Sequence, residues 1–456
     1  MASMVRGIVH VCQRHTAVIR RDVNRVEYNS LLTVMSKTTK LERRDFLKLG
    51  AGGLAAGALS AGCATMASSE GEKPVSPPAE QPPTPAAAAE PAPAKSAESP
   101  RRKLGRTGID VPIVSMGVMN ADNPNLVRAA LDGGIFLLDT AHGYQDGRNE
   151  EMLGTVLKDR KRDSFVLATK VHLSTLDRKT GLFSKETRGE EIGEKLDISL
   201  KRLGLDHVDI LHLHNQSTRE GALYPPVLKA LEKAKRDGKT RFLGLSTHKN
   251  EPEAIRAAVE AKLYDVVLTS YNFRQDHHLE VQKAVAEAAQ AGLGIVAMKT
   301  QAGVYWDKDK QSPINMAAAL KWALRDPNVH TAIPGFTTFD QLQTDLAVLR
   351  DPTLTDDEKR SLEAPKLVGF FCQGCGQCLE PCLAKLPIPD LMRSFMYAHA
   401  YRNREAAQAL LLELGLPESP CGDCDECPVR CAKGFDVRQR VRDIVRLRGV
   451  PREFLG

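Results

Sequence analysis

The chain has 456 residues, of which 42% are hydrophobic and 26% charged, and its formal net charge at pH 7 is +6. Such a length allows two or three globular domains. Residues 1–48 hold ten lysines and arginines against four acidic residues, so the remainder sums to zero. The globular part therefore gives no electrostatic reason to expect binding to nucleic acid or to an anionic membrane.

The N-terminal segment has the pattern of a twin-arginine export signal. Arg43 and Arg44 precede Phe-Leu-Lys, and a weakly apolar stretch rich in Gly and Ala follows over residues 49–61. This stretch is shorter than the ~20 residues that a membrane-spanning helix needs. We expect the twin-arginine machinery to export the folded protein to the periplasm or cell envelope.

Two details of this segment leave its processing open. About forty residues precede the arginine pair, more than such a signal usually carries, which favours Met35 as the natural start and makes Cys12 an artefact. Residues 59–63 resemble a lipoprotein cleavage site, although Ser60 stands where an aliphatic residue is usual. Lipid attachment at Cys63 and ordinary cleavage nearby are both compatible with this pattern.

The next segment, residues 68–100, consists almost entirely of Pro, Ala, Ser and Glu. Because it cannot bury enough apolar surface to order itself, we predict a disordered linker. The predicted organisation is a signal region over 1–67, the linker over 68–100 and two globular domains over 101–365 and 366–456.

From residue 103 onward, short runs rich in β-branched residues alternate with amphipathic stretches. Eight such units in about 250 residues predict a (β/α)8 barrel of the TIM type. The alternative is a doubly wound sheet, but the first strand–helix turn has no G-x-G-x-x-G. The predicted strands are Ile113–Val118, Phe136–Ala141, Phe165–Val171, Val208–Asn215, Thr240–Thr247, Val266–Asn272, Gly294–Thr300 and Thr331–Gly335. Helices are predicted at Arg188–Leu203, Glu251–Lys262, Leu279–Ala291 and Phe339–Leu349.

Eight cysteines near the C-terminus form two runs with the spacing C-x2-C-x2-C-x3-C. The runs are Cys372, Cys375, Cys378, Cys382 and Cys421, Cys424, Cys427, Cys431. This spacing is typical of bacterial ferredoxins that bind two [4Fe–4S] clusters, in which the last cysteine often ligates the other cluster. Zinc and disulfides are the alternatives, and proline does not follow the fourth cysteine in either run.

The segment Pro389–Leu414, between the two runs, has one long helical pattern. Its apolar positions predict a buried stripe, formed by Leu391, Phe395, Ala398, Ala407, Leu410, Leu411 and Leu414. The C-terminal domain is therefore expected to be mainly helical. It resembles the helical ferredoxin modules of respiratory iron–sulfur proteins.

Active sites of (β/α)8 barrels lie at the C-terminal ends of the strands. The predicted strand ends place Asp139, Tyr144, Lys170 and His214 at this mouth. Lysine could lower the tyrosine pKa, aspartate could hold the lysine charged, and histidine could orient a carbonyl oxygen. The four residues predict a site that transfers a proton.

The motifs around these residues resemble the aldo/keto reductase superfamily from about Arg102 to Leu349. They are Asp139-Thr-Ala-x-x-Tyr144, Glu150 with Leu153-Gly154, Thr169-Lys170, Asp209-Ile-Leu-x-Leu-His214 and Gly244-Leu-Ser246. The resemblance implies that Tyr144 protonates a carbonyl oxygen while a nicotinamide delivers hydride. It makes Asp139, Lys170 and His214 the partners of that tyrosine.

The same resemblance implies a site for NADP(H) or NAD(H) at Ser246, Lys299, Gly335 and Gln341. Here the chain departs from the family pattern. Thr247 and Leu268 replace the usual Asn and Gln, Lys299 replaces a stacking aromatic residue, and Asp345 replaces an Asn. Arginine is missing at the position that would bind a 2′-phosphate, so the choice of nucleotide stays open.

We therefore predict an exported oxidoreductase that exchanges hydride between nicotinamide and a carbonyl or alcohol, coupled to electron transfer through two [4Fe–4S] clusters. Its expected partners are a small carbonyl or sugar-like substrate, and a redox protein or membrane electron carrier. One alternative is an envelope electron-transfer protein whose barrel is only a binding scaffold. Another is that the clusters are purely structural.

Overall fold

The computed structural model describes residues 99–303, 314–363, 371–422, 424 and 426–455. The chain divides into units 1–89 and 90–456, and every described residue belongs to the second unit. The predicted export signal, Cys63 and nearly all of the predicted linker lie outside the described residues. Within those residues, none of the helices has the length and apolar character needed to cross a bilayer.

The secondary structure alternates between strands and helices as far as residue 363. The strands are β1 Arg101–Lys103, β2 Asp110–Pro112, β3 Met116–Gly117, β4 Leu137–Asp139, β5 Val166–Val171, β6 Leu176–Asp177, β7 Leu182–Phe183, β8 Val208–Leu213, β9 Thr240–Thr247, β10 Val266–Ser270, β11 Gly294–Met298 and β12 Thr331–Ala332. The helices of this part are α1 Pro124–Asp132, α2 Arg148–Leu157, α3 Glu191–Leu203, α4 Arg219–Ala222, α5 Pro225–Arg236, α6 Glu251–Ala261, α7 His278–Gln290, α8 Met316–Leu324, α9 Phe339–Arg350 and α10 Asp356–Glu363.

Eight of the strands form one parallel sheet in the order β3-β4-β5-β8-β9-β10-β11-β12. A parallel bridge between Val114 and Ala332 connects the first strand segment to the last. The sheet is therefore nearly closed, and the predicted (β/α)8 barrel is confirmed. The terminal strands are shorter than predicted: the last one ends at Ala332 instead of Gly335.

A hairpin that the sequence analysis did not predict lies at the N-terminal end of the barrel. Strands β1 and β2 pair antiparallel. Leu104, which follows β1, and Val111 of β2 pack against the inward-facing residues of the barrel strands. Gly294, at the start of β11, makes room for this hairpin, since a Cβ there would lie 2.6 Å from Leu104 Cγ. The hairpin closes this end of the barrel, so the site must lie at the other end.

The C-terminal region is helical, but the long predicted helix is two helices. They are α11 (Ile388–His399) and α12 (Arg404–Glu413), and a third, α13, covers Val437–Ile444. The chain breaks where Arg402 adopts a left-handed φ of 52° and the Asn403 side chain caps α12 by accepting the Ala406 N–H at 2.9 Å. The predicted apolar stripe packs into a core beneath these helices, with the exception of Leu410, which lines a cavity at the barrel mouth.

Polar contacts hold the C-terminal region over the strand ends of the barrel. Asn403 Nδ2 donates to Asn120 Oδ1 at 2.8 Å, and Arg178 pairs with Glu413 at 2.5 Å. The Asp276 N–H donates to Gln373 Oε1 at 2.8 Å, and Gln373 Nε2 donates to Asp276 Oδ2 at 2.8 Å. The barrel mouth is therefore enclosed by residues of both regions.

Candidate active site

The structure brings the four predicted catalytic residues together at the barrel mouth. Asp139 is the last residue of β4, Lys170 lies near the end of β5, and His214 directly follows β8. Tyr144 begins a short 3-10 turn after β4. Because neighbouring parallel strands end at the same edge, residues far apart in sequence share one site.

Lys170 is the centre of the group. Its Nζ donates to Asp139 Oδ1 at 2.5 Å, to the Thr140 carbonyl oxygen at 2.6 Å and to the Tyr144 hydroxyl at 3.1 Å. The side chains of Lys170 and Asp139 are only 2% and 5% exposed. All three ammonium hydrogens thus have acceptors, which fixes the distance between the lysine charge and the phenol.

The charges of this group follow from burial and from their mutual contacts. Burial opposes the charged form of Lys170, but Asp139 and Tyr144 outweigh it and raise the lysine pKa above its ordinary value. Burial raises the pKa of Asp139, and Lys170 opposes that effect. Burial also raises the pKa of Tyr144, although Lys170 acts to lower it. Tyr144 is therefore protonated at neutral pH and can act as an acid.

His214 completes the mouth as a neutral ring. Its ring centroid lies 6.2 Å from that of Tyr144, in an edge-on arrangement. Burial, followed by the nearby charge of Lys170, places the pKa of His214 well below its ordinary value. A neutral imidazole can hold a carbonyl oxygen by a hydrogen bond, which leaves Tyr144 as the residue able to transfer the proton.

The predicted cofactor residues are distributed around two cavities that meet at Tyr144. Gly335 and Lys299 line the first cavity, together with Tyr144 and Asp139. Lys299 also lines the second cavity, beside Ser246. Gln341 faces neither, since its Oε1 accepts the Thr337 N–H at 2.8 Å within the loop before α9. Its structural role there is to hold that loop.

Helix α11 and the turn after it bring further residues to the mouth, and these were not predicted from the sequence. Arg393 and Tyr397 line the second cavity, and Tyr401 lines the first. The two tyrosine rings stack with centroids 5.8 Å apart. Arg393 and Tyr397 are four residues apart and so lie on one face of α11, and Tyr401 continues this spacing into the turn that follows.

The eight predicted ligand cysteines lie in two sets of four thiols, each drawn from both runs. Three cysteines of one run join the last cysteine of the other. The sets are Cys372, Cys375, Cys378, Cys431 and Cys421, Cys424, Cys427, Cys382. The first set lines one cavity beside Ile388 and Met392 of α11.

The surroundings of the first set are apolar. Burial raises the pKa of Cys372 to about 11 and that of Cys378 to about 12. Such thiols become thiolates only when a metal replaces the proton. Among the described residues, no three His, Cys, Asp or Glu side chains are grouped so that they could hold one metal ion. In a four-iron cluster each cysteine binds a different iron, and the crossed sets fit that donor pattern.

Comparisons with known proteins find similarity to one family within the barrel. The family model described as "Aldo/keto reductase family" matches residues 115–317. The oxidoreductase YqkF of Bacillus subtilis (strain 168) is 24% identical over an alignment of 298 residues, and the match covers 58% of this chain and 95% of that protein. L-galactose dehydrogenase of Arabidopsis thaliana is 34% identical over 160 residues, or 32% of this chain and 47% of that protein.

A further relative and one solved structure are also similar to this chain. The NADH-specific methylglyoxal reductase of Escherichia coli (strain K12) is 31% identical over 150 residues, covering 30% of this chain and 44% of that protein. The aldo-keto reductase AKR11C1 from Bacillus halodurans has a TM-score of 0.47 and 23% identity, and the match covers 58% of this chain and 96% of that one.

Proposed function

We propose that this protein is an oxidoreductase of the aldo/keto reductase type, because the family model matches residues 115–317 and an oxidoreductase is among its relatives. It would exchange hydride between a nicotinamide nucleotide and a carbonyl or alcohol substrate at Tyr144. The observation that carries the proposal is the hydrogen bonding of Lys170 to both Asp139 and Tyr144. When bound, NADP(H) or NAD(H) would supply the hydride that forms the new C–H bond.

The residues of the chain supply the proton. In the reduction, the Tyr144 O–H bond breaks and its proton moves to the carbonyl oxygen, while Lys170 stabilises the phenolate that remains. Asp139 keeps Lys170 charged, because an ammonium this deeply buried needs a counter-ion. The neutral ring of His214 orients the carbonyl oxygen.

The first cavity is the place where we propose that the nucleotide binds. The Thr300 hydroxyl lines it, is fully shielded from solvent and has no hydrogen-bond partner among the described residues. An orphaned buried hydroxyl costs free energy unless a ligand satisfies it. Lys299 and Gly335 line the same cavity. These residues would contact the nucleotide, with Ser246 on the adjoining side.

We further propose that each crossed set of thiols holds one [4Fe–4S] cluster, which would move single electrons. Helix α11 supports a connection with the barrel. Met392 lines the cavity of the first thiol set and Tyr397 lines the substrate side of the mouth. The five-residue step between them is about 7 Å along a helix, so electrons would have a short path.

The remaining parts of the proposal rest on the sequence. The twin-arginine pattern supports export to the periplasm or envelope, with lipid attachment at Cys63 open. A redox partner protein or membrane carrier would then exchange electrons with the clusters. The alternative, in which the barrel is only a scaffold, is less favoured because the Asp139–Lys170–Tyr144 group has the geometry of a working proton donor.

The test is a carbonyl-dependent assay on the anaerobically purified chain. Oxidation of NADPH or NADH is followed with a panel of short aldehydes, ketones and aldoses, and iron and sulfide are measured in the same samples. We expect carbonyl-dependent oxidation and about eight irons per chain. Absence of oxidation in protein with intact clusters would refute the reductase proposal, and stoichiometric zinc would refute the clusters.

A further inference from the structure

The second cavity at the barrel mouth has a strongly basic lining contributed by both regions of the chain. It has a volume of about 300 Å³ and contains Tyr144, so it is the space open to a small substrate. Five of its lining residues are Lys or Arg, and the acidic one is Glu413: Lys170, Arg178, Lys195, Lys299 and Arg393 are the five.

Three of these cations are already neutralised by carboxylates. Lys170 pairs with Asp139 at 2.5 Å, Arg178 with Glu413 at 2.5 Å and Lys195 with Glu191 at 2.6 Å. They therefore balance charge inside the protein and leave little attraction for a ligand. The hydrogen-bond donors that remain for a ligand lie at the other two positions.

Arg393 is also paired with a carboxylate, that of Asp390, but both Arg393 and Lys299 keep donors that no group among the described residues accepts. Arg393 Nη1 donates to Asp390 Oδ1 at 3.1 Å, and its other guanidinium donors remain for a ligand, although its side chain is only 10% exposed. Lys299 Nζ has no hydrogen-bond or ion-pair partner in the part of the chain that the structure describes. Its described contact is with the Tyr397 ring, 5.7 Å away.

Further observations concern the same corner of the cavity. The ring nitrogen Nδ1 of His248 is buried without a hydrogen bond, and His248 lines the same cavity while only 9% exposed. Lys299 adopts a left-handed φ of 55°, which is uncommon for a residue with a side chain. Burial, together with the charges of Arg393 and Lys170, lowers the pKa of Lys299 to about 7. An oxyanion placed here would offset the repulsion between these cations.

We propose that Arg393 and Lys299, with His248 beside them, bind a carboxylate or phosphate group of the carbonyl substrate. This inference rests on the proposed function, since the carbonyl end must reach Tyr144. The substrate class is then a small keto acid, aldehyde acid or phosphorylated carbonyl compound. The helix that carries Arg393 also carries thiol-cavity residues, so the iron–sulfur region supplies part of the substrate specificity.

The test compares charged and neutral carbonyls of similar size. The probes are pyruvate against butanone, and dihydroxyacetone phosphate against dihydroxyacetone, with kcat/KM measured for the anaerobic full chain. We expect one charged probe to exceed its neutral counterpart at least about tenfold, the value of one charge-assisted hydrogen bond. The favoured pair identifies carboxylate or phosphate as the group.

Variants locate the effect. Arg393→Gln and Lys299→Met should each lower kcat/KM for the charged probe at least about tenfold more than for the neutral one. Arg241→Gln is the matched control, because it removes a cation that pairs with Asp209 outside both cavities. Iron content is measured in every variant, so that loss of a cluster is recognised.

Binding separates failure of this inference from failure of the proposed function. Calorimetric titration of pyruvate and dihydroxyacetone phosphate does not need turnover. Charge-dependent binding that Arg393→Gln weakens, without any turnover, would support the anion site and count against the reductase. Turnover with no preference for either charged probe would overturn the anion site and leave the reductase intact. If the protein shows no binding preference and no turnover, both the anion site and the reductase proposal are overturned.

Discussion

The buried pair between Asp139 and Lys170 is the part of the site whose loss has the most definite consequence. Asp139→Asn removes the carboxylate that Lys170 Nζ contacts at 2.5 Å, where both side chains are at most 5% exposed. Breaking one partner of a buried ion pair costs about 3–5 kcal/mol, because the other charge stays buried without compensation. Lys170 can avoid part of this cost by losing its proton, which removes the charge beside Tyr144.

The assay therefore measures stability and catalysis together. Unfolding by urea, followed by tryptophan emission, should show a lower midpoint for Asp139→Asn. Carbonyl reduction should fall by roughly 10²- to 10⁴-fold, the usual contribution of a positioned general acid. A decrease of less than about 1 kcal/mol in the free energy of unfolding, together with an unchanged kcat, would refute the reasoning.

Asp209→Asn is the matched control. Asp209 is equally buried and accepts hydrogen bonds from Arg162 at 2.7 Å, from Arg241 at 2.8 Å and from the Leu167 N–H at 2.8 Å. Its position at the start of β8 puts it at the opposite end of the barrel from Tyr144. We expect a loss of stability of the same order with kcat little changed, which separates folding from catalysis.

Three further predictions follow from the thiols, from the phenol and from the export signal. Cys431→Ser should lose the cluster that the first cysteine run holds, and Cys382→Ser should lose the other cluster. Each variant should retain about four irons, and the paramagnetic resonance spectra of the two variants should differ. Identical spectra would contradict the crossed sets. Because burial raises the pKa of Tyr144, the rate of carbonyl reduction should stay level from pH 6 to about pH 9 and fall only as the phenol ionises at higher pH. The rate of alcohol oxidation should rise with pH. A fall in the reduction rate near pH 7 would contradict this assignment. Replacing Arg43 and Arg44 by lysine should retain the protein in the cytoplasm, as fractionation would show, and continued export would count against the signal.

The barrel could be predicted because its information is local. Buried parallel strands appear as short apolar runs, such as Val208–Leu213, which is buried throughout. The β1–β2 hairpin escaped prediction because each strand has three residues and carries too little periodicity. The break between α11 and α12 also escaped, since Arg402 adopts its left-handed φ without a Gly or Pro to indicate a turn.

Some residues of the site could likewise be predicted from the sequence and others could not. Asp139, Tyr144, Lys170 and His214 could be placed together because parallel strand ends meet at one edge. The spacing of the cysteines predicted two groups of four and is typical of proteins in which the last thiol joins the other group. The packing of the helices between the runs is what brings that thiol to the other group here. Arg393 reaches the mouth only through contact between the two regions of the chain, and no local pattern in the barrel indicates it.

The measurement that tests the central claim most directly is carbonyl-dependent nicotinamide oxidation by Tyr144→Phe. Tyr264→Phe is the control, because it removes a buried hydroxyl that donates to the Ala222 carbonyl at 2.8 Å and lines neither cavity. We predict that Tyr144→Phe loses roughly 10²- to 10⁴-fold in kcat while its nucleotide binding and iron content persist, and that Tyr264→Phe keeps its activity. Unchanged turnover in Tyr144→Phe would contradict the proposed proton donor and with it the mechanism.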